Sequence, residues 1–174
     1  MSTTTEPETK DRITCHVLDT TTGAPARNLR VKLELTSAPS STKTVAVATA
    51  PAVFESQTDE DGRIKTWLPY SSPTSSGEVP VYTLGDVLGG IEQGNGVING
   101  NGNGNGNGGG DGTGTGTGDS SSVWTLRFDT AGYFGGADKT FYPEVGVTFS
   151  VRAGERYHVP LLLAPYGYST YRGS

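Results

Sequence analysis

Between Gly94 and Gly118 the chain places 13 of its 26 glycines and only two aliphatic side chains, Val97 and Ile98. Asn-Gly and Thr-Gly pairs alternate through it, so it can bury too little apolar surface to offset the entropy of ordering its backbone. Any core must come from the rest of the 174 residues. What remains suits one domain and leaves no room for two large ones. The 13 Lys+Arg against 18 Asp+Glu give a net charge of −5. No basic run offsets that charge locally, so no nucleic-acid partner is expected. No stretch approaches the roughly 18 apolar residues of a membrane helix, so no membrane partner is expected either. A single cysteine, Cys15, and the lack of any Asn-x-Ser/Thr acceptor point to a reducing compartment. A cytoplasmic location is the expectation and a peroxisomal one the alternative, although Arg172-Gly173-Ser174 is not a Ser-Lys-Leu address.

Outside the glycine tract the hydrophobic period is that of short strands. Arg12 to Leu18 and Leu29 to Leu35 read as a first pair around the turn Thr22-Gly23-Ala24-Pro25. Ala52 to Thr58 and Arg63 to Leu68 flank Asp59-Glu60-Asp61-Gly62, whose Asp-Gly pair suits a tight reversal and predicts a hairpin. Val123 to Phe128, Glu144 to Val151 and Arg156 to Leu163 follow, with a last short strand over Tyr168 to Arg172. The only candidate helix lies near Thr130 to Phe134, ended by Gly135-Gly136. Seven or eight short strands with almost no helix make an all-β sandwich. Residues 1–11 read as a disordered tail and 12–174 as one domain, interrupted by a disordered Ser/Gly/Asn-rich insertion over 71–122. Within it Val79 to Leu88 is more apolar and is compatible with a turn of helix or with docking on the body.

Three motif matches are empty. Gly104, Gly106 and Gly109 satisfy a dinucleotide fingerprint, but no strand precedes them and no helix follows. The Asp59 to Gly62 stretch would begin a calcium loop at Gln57 and end it at Leu68, where carboxylates are required. Cys15 and His16 are adjacent, so on a strand they face opposite ways; His16 cannot activate Cys15, which reads as a small core residue.

The chain has only two histidines, each mid-strand. Thr14, His16 and Leu18 share one strand face, and Arg156, His158, Pro160 and Leu162 share another. A lone strand histidine is more often structural than functional, but the imidazole is also the usual acid or base near neutral pH. Pattern alone leaves both readings open.

Ile13 to Pro25 (ITCHVLDTTTGAP), Thr58 to Arg63 (TDEDGR), Phe141 to Val145 (FYPEV) and above all Tyr157 to Ser174 (YHVPLLLAPYGYSTYRGS) closely resemble the transthyretin-like family. The ending Tyr171-Arg172-Gly173-Ser174 is similar to the branch that hydrolyses 5-hydroxyisourate in urate degradation and unlike the hormone-carrier branch. The resemblance covers 12–70 and 123–174, and the long insertion departs from the compact family pattern. It implies a transthyretin-like two-sheet β-sandwich, a homotetramer with sites at the interface between dimers, and a small purine-derived substrate. It also implies an active site of His16, Arg63 and His158 with Tyr171, Arg172, Gly173 and Ser174 binding substrate, and no metal or organic cofactor. The competing function is a non-catalytic carrier of a small aromatic ligand on the same sandwich.

The residue types suit the implied reaction, in which water attacks the C6 carbonyl and opens the six-membered ring. A histidine with an unperturbed pKa of about 6.5 can take water's proton, and a second can deliver one to the leaving nitrogen. An arginine cannot act as the base, but its planar fork can hold a carbonyl edge and stabilise the developing oxyanion.

Overall fold

Burial alternates residue by residue along β1 (Ile13–Asp19), with Ile13, Cys15, Val17 and Asp19 facing in and Thr14, His16 and Leu18 facing out. The computed structural model describes residues 10–39, 52–71, 82–93 and 121–174, and the same inside-outside pattern organises most of it. One sheet has the order β10 (Gly167–Thr170), β9 (Tyr157–Ala164), β1 and β2 (Ala24–Pro25), with β5 (Arg63–Ile64) also paired to β1. The other has the order β6 (Leu68–Pro69), β4 (Val53–Gln57), β3 (Arg30–Ser37), β7 (Ser122–Phe128) and β8 (Val145–Val151). Trp124, Phe54, Phe128, Leu33, Leu126 and Leu161 are fully buried in the shared core. The expected all-β, two-sheet sandwich is therefore what the chain forms. β1 and β9 run parallel, from Ile13 opposite Tyr157 to Asp19 opposite Leu163. That pairing lays the two histidine strands side by side.

Two strand pairings differ from expectation. β1 and β3 do not pair but lie in opposite sheets, and β4 and β5 form no hairpin. The Asp59 to Gly62 turn is present: Asp59 Oδ1 accepts from the backbone N–H groups of Asp61 at 2.9 Å and Arg63 at 2.8 Å. What redirects the chain is Thr58, whose buried hydroxyl donates to Ala26 O at 2.7 Å and accepts from Leu29 N at 2.8 Å. Gly62 then passes so close to β1 that a Cβ there would lie 2.4 Å from Val17 O, at a φ of +71° that disfavours side chains. The turn thus carries the chain from one sheet to the other and delivers Arg63 beside His16.

The insertion expected to be disordered contains a helix, α1 (Leu84–Glu92). Thr83 caps it, its side chain accepting from Asp86 N while the Asp86 carboxylate accepts from Thr83 N. Leu84, Val87, Leu88 and Ile91 form one buried stripe at the i, i+3, i+4, i+7 spacing of a helix face. Burying each contributes about 1.5–3 kcal/mol, against roughly 1 kcal/mol lost at each helical glycine relative to alanine. Burial therefore outweighs Gly85, Gly89 and Gly90. Tyr82 adds an edge-on contact to Phe54 at 5.6 Å between centroids. Residues 72–81 and 94–120 of the insertion, and 1–9 of the N-terminal tail, lie outside the described residues. Asp11, assigned to that tail, is held by its N–H to Lys65 O and its carboxylate to Trp67 N, both at 2.8 Å.

The short helix expected near Thr130 is α2 (Thr130–Phe134), ended by Gly135 at a φ of +84°. Ordered chain follows β10, since Gly173 N donates to His158 O at 2.9 Å.

Candidate active site

Register assembles the site on the outer face of the first sheet. β1 places His16 opposite Arg63 of β5, and Thr14 opposite His158 of β9. The two imidazole centroids are 6.4 Å apart. Both rings are half-buried and Arg63 is exposed, so the three groups border a face that a ligand can approach.

Thr14 fixes the orientation of His158. Its hydroxyl lies 2.9 Å from His158 Nδ1 and can also donate to Tyr157 O at 3.3 Å. A hydroxyl has one proton to give. When it goes to Tyr157 O, Nδ1 must carry the imidazole proton, and Nε2 is left as the basic nitrogen. Burial, and then the Arg63 guanidinium, hold His158 below the ordinary 6.5, with His16 and Lys10 adding to the effect. His16 is also held below 6.5 by burial and then by Arg63, against a backbone carbonyl at Asp61 and the charges of Asp59 and Asp61. Both histidines are therefore biased to the neutral, proton-accepting form at neutral pH.

The C-terminal residues run past His158. A Cβ on Gly173 would lie 2.7 Å from His158 Cδ2 and 3.1 Å from His158 O, so the approach requires glycine. Thr170 Oγ1 donates to Pro160 O at 2.8 Å, anchoring the end of β10. Arg172 turns toward Glu155, with Nη2 donating to Oε2 at 3.2 Å. Tyr171 is 58% exposed, and Ser174 is also exposed. A groove of about 410 Å³ is lined by Phe149, Glu155, Tyr157, His158, Tyr171 and Arg172, among others. His16 and Arg63 stand outside it, on the open face.

Of the residues singled out from sequence, His16, Arg63, His158 and Gly173 come together, Tyr171 and Arg172 border the adjoining groove, and among the described residues no contact draws Ser174 in. Thr14 and Glu155 were not anticipated as functional. The signal for Thr14 was present, since it shares a strand face with His16. Cys15 points the other way, buried, with its thiol pushed up to about 12 by burial; it takes no part.

The family model described as the HIUase/Transthyretin family matches residues 13–86 and 91–173. The protein from Mesorhizobium japonicum called 5-hydroxyisourate hydrolase is 30% identical over 164 residues, covering 94% of this chain and 92% of its own. One from Schizosaccharomyces pombe called probable 5-hydroxyisourate hydrolase is 29% identical over 164 residues, covering 93% and 90%. Among solved structures, sea bream transthyretin in complex with thyroxine matches with a TM-score of 0.51 at 17% identity, over 94% of this chain and 95% of its own. That likeness carries the fold alone.

Proposed function

The chain belongs to the HIUase/transthyretin family, and on that premise we propose that it is a 5-hydroxyisourate hydrolase of urate degradation. The observation that carries this reading is the His16, Arg63 and His158 cluster, set on one sheet face by the registers of β1 with β5 and β9. Two neutral imidazoles beside a permanently charged guanidinium suit the hydrolysis of a cyclic amide.

In the proposed reaction His158 Nε2 takes a proton from water, whose oxygen bonds to the C6 carbonyl carbon. The imidazolium that forms stays oriented through Nδ1 and Thr14. Arg63 stabilises the charge that develops on the carbonyl oxygen. The bond from C6 to the ring nitrogen then breaks, and the proton taken by His158 passes through His16 to that nitrogen, giving 2-oxo-4-hydroxy-4-carboxy-5-ureidoimidazoline. Tyr171, Arg172, Gly173 and Ser174 bind the purine-derived ring. A homotetramer with this face at the interface between dimers would close the open side and exclude bulk water. The product distinguishes hydrolysis from carriage. Carbon-13 NMR of labelled hydroxyisourate mixed with the protein should show the ureidoimidazoline carboxylate forming faster than in buffer. Substrate that binds and decays only at the spontaneous rate would establish a carrier instead.

A further inference from the structure

A line of polar contacts joins helix α1 to the C-terminal residues. The connection from β8 to β9 crosses between the two sheets, and among the described residues no strand ladder holds its turn. It is gripped from outside. Glu92, the last residue of α1, accepts from Gly154 N at 2.8 Å and pairs with Arg12. Arg12 in turn donates from Nε at 3.2 Å and Nη2 at 3.1 Å to the backbone carbonyl of Glu155. The turn is thereby fixed at two successive residues, and at Gly154 the backbone has a φ of +75°.

The Glu155 carboxylate meets the chain end. Its Oε2 accepts from Tyr157 OH at 2.8 Å and from Arg172 Nη2 at 3.2 Å. The Arg172 guanidinium also sits 5.1 Å from the centre of the Tyr157 ring, within reach of a cation–π attraction. The Tyr157 hydroxyl is itself held, accepting from Arg152 N at 2.9 Å. Carboxylate and ring together make a seat for Arg172, next in sequence to the Gly173 that packs on His158.

We propose that Glu155 is a positioning residue for Arg172, and that helix α1, through Glu92 and Arg12, is the brace that holds Glu155 in place. The inference rests on the hydrolase reading, because it gives the insertion helix a part in presenting Arg172 to the substrate. The Arg172 side chain is 68% exposed and Glu155 supplies its ion pair, so Glu155 is what holds it in one position. An exposed ion pair contributes modestly, so this is an arrangement that tunes substrate binding and leaves proton transfer alone.

The test compares steady-state kinetics of the full chain with Glu92→Ala, Glu155→Ala and Arg172→Ala, each alone and the first two combined with the third. Glu92→Ala and Glu155→Ala should raise KM about two- to fivefold, the span an exposed ion pair permits, with kcat and its pH profile little changed. Neither should add to the loss already caused by Arg172→Ala. Losses that multiply in the Arg172→Ala background, or unchanged KM in both single variants, would overturn the proposal. Hydrogen exchange at the Gly173 amide reads the same brace without any substrate, so it stands even where the hydrolase reading fails. Faster exchange in Glu92→Ala and Glu155→Ala supports the brace. Unchanged exchange in both contradicts it.

Discussion

Gly173 lies against His158 with no room for a side chain. A methyl group at 173 would sit 2.7 Å from His158 Cδ2, while the Gly173 N–H donates to His158 O at 2.9 Å. Chain end and imidazole are thus packed as one unit. Gly173→Ala should leave the sandwich folded but turn the ring, and a displacement of about 1 Å at a reacting group can cost roughly 10²-fold. The check is kcat alongside the melting temperature. Full activity in the alanine variant would show that the ring has freedom the packing denies it.

Thr14 is the second lever on the same ring. Thr14→Val keeps the shape and removes the hydroxyl 2.9 Å from Nδ1, so the proton on His158 is no longer directed to one nitrogen. A loss of about tenfold in kcat is expected, small beside the roughly 10²–10⁴-fold that general acid–base catalysis supplies. Thr14→Ser should restore most of it. Nitrogen-15 shifts of the His158 ring, read in both variants, would show the tautomer change directly.

The pH dependence follows from the direction in which burial and Arg63 move the histidines. Both are held below 6.5, so the protein keeps a neutral base down to a lower pH than a free imidazole would. The rate should fall on the acid side with a midpoint under 6.5 and stay level from there toward pH 8. Arg63→Gln removes a positive charge that disfavours protonation, so it should move that midpoint upward as well as lowering kcat. An unshifted midpoint in Arg63→Gln would separate the arginine from the histidines.

Helix α1 belongs to the core, so removing it should damage the fold. Leu84→Ala and Leu88→Ala are each expected to cost about 2–5 kcal/mol, measurable by urea denaturation. Replacing residues 72–121 with a short turn should be at least as destabilising, because it also strips Glu92 from Arg12. Stability retained after that excision would mean that the buried stripe contributes nothing to folding.

Local interactions are legible in the sequence, and contacts between distant residues are not. Burial alternates through Ile13–Asp19 and, except at buried Pro160, through Tyr157–Ala164, so the faces bearing His16 and His158 were legible from period. Their adjacency was not, because it depends on the parallel register of Thr14 with His158. Arg63 was harder still: β5 is only two residues long, and Asp-Gly chemistry is the same whether a turn closes a hairpin or crosses between sheets. The choice was made by Thr58 and by the backbone of Val17, both contacts distant in sequence. Helix α1 hid behind Gly85, Gly89 and Gly90, since its stability comes from tertiary burial that outweighs poor propensity. Its capping pair, Thr83 and Asp86, was the local sign. Resemblance supplied the C-terminal residues, but the approach of Gly173 to His158 is a fact of packing.

The proposed hydrolysis of 5-hydroxyisourate depends on His16 and His158 acting together. Freshly prepared 5-hydroxyisourate, followed by the decay of its ultraviolet absorbance, tests it most directly in the unaltered protein and in His16→Asn and His158→Asn. Decay well above the spontaneous rate is expected with the unaltered protein, and a loss of about 10²-fold or more in each folded variant. Decay at the spontaneous rate with the unaltered protein, or undiminished turnover in either variant, would contradict it.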